Sequence, residues 1–162
     1  MGEKDYPYLT MDKVDVLTDG AIFQAKVMSL GDQHIQSYGF VWNENDRTGF
    51  ENWFRKELTG SPDVGTFNAT VNTDVQKDQR YFVRPFITTD EKTVYGPPSE
   101  FTGKGSRTAS VVDYFPKAGF DGTLIRMRGK YFSSKKENLS VFVDDNRAEI
   151  IRSGEDSLVF TI

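Results

Sequence analysis

Polar and apolar positions alternate with a period of two along most of this chain, the pattern of strands with one face buried and the other wet. Ala21, Phe23, Ala25 and Val27 alternate with Ile22, Gln24 and Lys26, and Phe67, Ala69 and Val71 alternate with Thr66, Asn68 and Thr70. The run from Ile35 to Trp42 is apolar on both faces after Tyr38. It predicts an inner strand covered on both sides, or one shielded by the aromatic loop that follows. Tyr81, Val83, Pro85 and Ile87 form one row of a further strand, with Phe82, Arg84 and Phe86 on the other. Proline cannot donate to a ladder, so this strand either bulges at Pro85 or turns the nitrogen of residue 85 away from any partner. Only one segment has helical spacing: Phe50, Trp53, Phe54 and Leu58, followed by Gly60 and Pro62, read as two turns of helix or a folded loop.

Gly, Asp, Asn and Pro interrupt the runs about every ten residues, a rhythm that predicts β-sandwiches. The fold expected is all-β, with two tandem immunoglobulin-like sandwiches, the second lacking its last strand or strands. Residues 1–10 read as an N-terminal extension, 11–105 as the first sandwich and 106–162 as the second. Pro97-Pro98 precedes a last short strand near Glu100 to Thr102, and Gly103-Lys104-Gly105-Ser106 forms a polar link. Beyond it, Ile125 and Met127 oppose Arg126, Arg128 and Lys130; Val141 with Val143, Ala148 with Ile150, and Leu158, Phe160 and Ile162 continue the alternation.

Composition narrows the chemistry. The 162 residues are 37% hydrophobic and 14% aromatic, which suits one or two compact domains with modest cores rather than a large single-core enzyme. No apolar run approaches the roughly 20 residues of a membrane helix, and none near the start resembles a signal peptide. Cysteine is absent, which excludes disulfides, thiolate metal sites and cysteine nucleophiles. The net charge is -4, with 11 basic and 16 acidic side chains in residues 1–105 and 9 and 8 in the remainder. Neither half carries the positive field that binding a phosphate backbone needs, so no nucleic-acid partner is expected.

The second half resembles the IPT/TIG domain, an immunoglobulin-like fold. The resemblance rests on Val112, Phe115-Pro116, Gly119, Gly122-Thr123-Leu124-Ile125, Met127, Gly129, Tyr131-Phe132-Ser133, Asn138, Val141, Val143, Ala148, Ile150 and Ser157 to Ile162. The family pattern runs on past Ile162, so the resemblance implies an exposed sheet edge near Leu158 to Ile162. The first half, Met11 to Thr102, resembles the fibronectin type III-like repeat of Bacteroidetes surface proteins. Tyr38-Gly39-Phe40-Val41-Trp42, Gly65 to Val71, Tyr81-Phe82-Val83-Arg84, Val94-Tyr95-Gly96 and Phe101 carry it. Val75, six residues before Tyr81, fits a tyrosine corner, in which the phenol bonds an upstream backbone group. Together the two resemblances imply the stem of a lipoprotein encoded beside glycan-uptake systems, on the outer-membrane surface and held there by a lipid anchor. Lipidation needs an N-terminal cysteine, so Met1-Gly2 reads as a start placed just after the missing anchor.

Candidate chemistry is sparse. His34 is the only histidine, which excludes a His-based metal cluster, and no serine lies in a nucleophile-elbow pattern. Asp144-Asp145-Asn146 could offer calcium three oxygens, but Asp and Asn in series more often build a hairpin turn. Arg126, Arg128 and Lys130 would line one strand face, as a solvated surface or against an anionic partner. Trp42, Phe50, Trp53 and Phe54 are the candidate ligand-binding residues: flat rings can stack on sugar faces, although a small sandwich also needs aromatic rings to close its open side. No catalytic residue, metal or cofactor is expected. The function expected is a non-catalytic cell-surface spacer that contacts polysaccharide or another surface protein. The rival readings are accessory domains of a secreted polysaccharide-degrading enzyme and the nucleic-acid-binding use of IPT/TIG domains.

Overall fold

The computed structural model describes residues 5–162, and the expected start at Met1-Gly2 lies outside them. It divides into two compact units, one running to Val71 and resuming over Val75–Gly105, the other made of Asn72–Asp74 and Ser106–Ile162.

The first unit contains two antiparallel sheets. One is ordered β1 (Tyr8–Leu17), β2 (Gly20–Ser29), β5 (Gly65–Val71). The other is ordered β4 (Phe54–Thr59), β3 (Ile35–Asn43), β6 (Arg80–Thr89), β7 (Thr93–Tyr95), with β8 (Ser99–Thr102) also paired to β6. The first strand begins at Tyr8, inside the segment expected to be an extension, because Leu9 is buried and pairs with Val27.

The alternation sorts side chains as the sequence predicts. Ala21, Phe23, Ala25, Ala69 and Val71 from one sheet meet Phe40, Trp42, Tyr81 and Val83 from the other in one buried core. Phe23 sits at its centre, with ring centroids 5.4 Å from Phe40, 5.5 Å from Trp42 and 5.4 Å from Phe101. These tilted geometries suit aromatic quadrupoles better than face-to-face stacking.

Pro85 is accommodated without a bulge, in register opposite Phe40. Its carbonyl accepts from Gly96 N–H at 2.9 Å, on the side where the edge strand breaks between β7 and β8. A strand residue's N and O point to the same side, so the donor that proline lacks would have faced this break. Gly96 is required here, since a Cβ on it would lie 2.6 Å from the Leu9 carbonyl oxygen and 2.8 Å from the Pro85 ring.

The tyrosine corner is present. The Tyr81 hydroxyl accepts from Gln76 N–H at 2.8 Å, while its ring stacks on Phe101 at 5.3 Å. Replacing Tyr81 with Phe leaves that N–H without its partner in a half-buried setting. The first unit should lose about 1–2 kcal/mol, read from urea unfolding followed by tryptophan fluorescence.

The second unit has one four-stranded antiparallel sheet and a hairpin. The sheet is ordered β13 (Glu149–Ser153), β14 (Ser157–Thr161), β10 (Leu124–Lys130), β9 (Ser110–Phe115). The hairpin joins β11 (Phe142–Val143) and β12 (Asn146–Arg147). Ile125, Phe132, Leu158 and Phe160 form its buried centre. Gly129 allows β9 and Phe132 to approach, since a Cβ there would stand 2.1 Å from the Ser110 carbonyl oxygen and 2.4 Å from the Phe132 ring.

The expectation of an open edge at Leu158 to Ile162 is corrected. The strand β14 lies inside the sheet, paired on both sides, and the edges are β13 and β9. Leu158, Val159 and Phe160 are buried in succession, which a strand flanked by two others permits.

Candidate functional site

The four rings singled out in the sequence separate onto the two faces of the larger sheet of the first unit. Trp42 pairs with Phe54 across β3 and β4 and points with it into the core, ring centroids 5.9 Å apart. Trp42 is 1% exposed and Phe54 8%, so the sandwich interior uses both ring surfaces in this conformation. Trp53 and the half-buried Phe50 lie on the outward face, packed with Val41 and Phe86. Trp53 retains 5% exposure, its face covered by the surrounding side chains.

Of the two readings of this segment, two turns of helix is corrected, and a folded turn leading into a strand takes its place. Phe50–Asn52 forms a single 3-10 turn, and Phe54–Thr59 is strand β4. The near-helical spacing arises because the turn aims Phe50 and Trp53 at the outward face, and the following extended residue aims Phe54 at the core. Trp53 is held by its indole Nε1–H, which donates to the Arg47 carbonyl at 3.2 Å, and by an edge-on contact with Phe50 at 4.9 Å.

Sequence reasoning missed the residue that fastens this loop. Arg84 is the only charge in the run Tyr81 to Ile87, on the outward face between Phe82 and Phe86. Its Nε and Nη2 donate to the two Asp46 carboxylate oxygens, both at 3.0 Å, and Nη1 donates to the Gly96 carbonyl at 3.0 Å. The guanidinium carbon also lies 4.8 Å from the Phe50 ring centroid. The pair is shielded, with side-chain exposures of 19% and 29%. Such a bidentate fork has the geometry in which an arginine-carboxylate pair is strongest. A lone cation in an aromatic strand row was the available signal.

Tyr95 completes the patch. Its ring lies 4.6 Å from Phe50 and 6.3 Å from Phe86, and Arg55 stacks over Phe86 at 4.9 Å. Burial pushes the Tyr95 phenol above its usual value, the nearby Arg55 opposing it. The arrangement is a laced cover over the outward face of the sheet, made of aromatic rings with guanidinium groups layered on them.

The other candidates behave as surface chemistry. The imidazole Nδ1 of His34 stands 3.1 Å from Asp90, and the Asp90 carboxyl is held below its usual value by hydrogen bonds from Gln36 and then His34. Asp144-Asp145 forms the two-residue turn between β11 and β12, with Asp144 at φ 53. Left-handed backbone of this kind suits Asp in a tight hairpin. Among the described residues no group of three or more His, Cys, Asp or Glu side chains could hold a metal.

Comparison with known families decides the second unit. Its sheet, its central Phe132 and its crowded Gly129 lie within residues 109–162, which match the family model of the IPT/TIG domain. An IPT/TIG domain is present. The IPT/TIG family is immunoglobulin-like and non-catalytic, serves as an accessory domain, and is typically extracellular. No curated protein and no solved structure matches the chain. Among the described residues no helix is long and apolar enough to cross a membrane.

Proposed function

We propose that this chain is a non-catalytic stem module of a Bacteroidetes glycan-utilisation lipoprotein, a fibronectin type III-like unit followed by IPT/TIG at the outer-membrane surface. Its task is to space a neighbouring functional domain from the membrane, with contact to glycan or protein as a secondary role. The observation that carries this reading is the commitment of the aromatic residues to packing, Trp42 and Phe54 in the core and Trp53 and Phe50 in the outward cover. Three of the four rings best suited to stacking on sugar are buried, and Arg84 and Asp46 fasten the fourth. The pairing of a three-stranded with a five-stranded antiparallel sheet and the Tyr81 corner support the fibronectin-like part, and the IPT/TIG match supports the accessory role.

The test is a titration with neutral plant and host polysaccharides, following tryptophan fluorescence. Both tryptophans lie in the first unit, and no saturable change is expected, in the native chain or in Trp53→Ala. A saturable change that disappears in Trp53→Ala would show that the loop opens to receive sugar, against the spacer reading.

A further inference from the structure

The outward face of the IPT/TIG sheet carries a row that no single strand reveals. Register places Phe115 of β9 opposite Arg126 of β10, Arg126 opposite Val159 of β14, and Val159 opposite Arg152 of β13. The core side is occupied by the neighbours Ile125, Leu158 and Phe160, so this row faces away from the core. Arg128 and Lys130 continue the same face along β10. A bulge between Ile150 and Arg152 aligns Arg152 with Val159.

The physical state of these residues suits a ligand. Val159 is only 9% exposed although it lies on the outward face, while Arg126, Arg128, Lys130 and Arg152 are all exposed. Long basic side chains commonly cover an apolar neighbour with their stems and keep their heads in water. None of the four is in an ion pair among the described residues. Acids near these cations are Asp113, opposite Arg128 and held below its usual value first by Lys117 and in part by the Arg128 charge, Glu149, opposite Thr161, and Glu155 and Asp156, which line a shallow pocket with Lys130, so the least screened cations are Arg126 and Arg152. Lys117 already occupies Asp113 at 2.6 Å. Phe115, at the end of the row, is 75% exposed.

We infer that this face binds an acidic polysaccharide, with Arg126 and Arg152 pairing carboxylate or sulfate groups along the chain and Phe115 stacking on a sugar ring. Arg126 and Arg152 are two strands apart, about 10 Å between their backbones. That distance is close to the length of a disaccharide, so alternate acidic sugars can meet both. Arginine presents parallel N–H donors to a carboxylate or sulfate, and Val159 between the two gives an apolar floor. A flat aromatic face accepts the C–H surface of a pyranose, which distinguishes an acidic glycan from an acidic peptide. The overall charge of -4 opposes every polyanion at long range, so binding here depends on contacts within the patch, and single-stranded DNA serves as the competing polyanion. This inference rests on the glycan side of the proposed function and moves it from the aromatic loop to the IPT/TIG sheet.

The experiment is affinity electrophoresis and calorimetry of the chain with polygalacturonate, heparin, dextran and single-stranded DNA, at low and high salt. Retention by polygalacturonate or heparin that weakens with salt is expected, with dextran inert. Arg126→Ala/Arg152→Ala should weaken it at least tenfold, Arg126→Lys/Arg152→Lys less, and Arg80→Ala, on a strand of the first unit, not at all. All these side chains are exposed, and circular dichroism checks that each variant folds. Equal binding to dextran, no binding to either acidic polymer, or tighter binding to DNA would overturn the inference. Release of new reducing ends from the bound polymer would instead sink the non-catalytic reading while leaving the site in place.

Discussion

Replacing Trp42 with alanine is expected to destabilise the first unit by about 3–5 kcal/mol, because the indole fills the space between the two sheets and nothing nearby can collapse into its volume. Trp42 is 1% exposed and touches both Phe23 and Phe54, so the cavity would open at the meeting point of β2, β3 and β4. A domain of this size has about 5–15 kcal/mol in total, so the variant should unfold at a much lower urea concentration. Trp53 remains as the optical probe. A loss below about 1 kcal/mol would mean that the ring is not packed as described.

Arg84→Met should cost about 2–3 kcal/mol in the same assay, less than a fully buried ion pair because both partners keep some contact with water. Methionine retains much of the stem while removing three hydrogen bonds, to Asp46 and Gly96. Asp46 is left beside an aromatic patch without its cation, so Asp46→Asn should recover part of the loss in the double variant. A thermodynamic cycle over the two positions is predicted to give a coupling of at least about 1 kcal/mol. Additive losses would show that Arg84 acts through packing on Phe50 alone.

Much of this architecture was legible because alternation reports which side of a strand is dry. The rows Tyr81-Val83-Pro85-Ile87 and Phe82-Arg84-Phe86 fall on opposite faces as the sequence implies, and Val75 with Tyr81 located the corner that Gln76 closes. Two misreadings have physical causes. Phe50, Trp53 and Phe54 imitate a helix because a 3-10 turn precedes a strand, and periodicity counts spacing without knowing that consecutive rings serve opposite faces. The family pattern implies an edge at β14, whereas three successive apolar residues, Leu158, Val159 and Phe160, signal the interior position that pairing on both sides gives it.

The candidate site was legible only as a composition of rings. Whether those rings face a ligand or each other depends on Arg84 and Asp46, which are 38 residues apart, and on the break in the edge strand at Gly96. The cationic row of the second unit was half visible, as Arg126, Arg128 and Lys130 on one strand. Arg152 joins them only through the register of β14, which no single strand contains.

The claim on which this account turns is that the aromatic loop is a closed cover, its two indoles spent on the fold. Iodide quenching of tryptophan emission in the native chain tests it most directly. Blue-shifted emission that iodide barely quenches, becoming freely quenched only on unfolding in urea, is the predicted result; red-shifted, readily quenched emission under native conditions would contradict it.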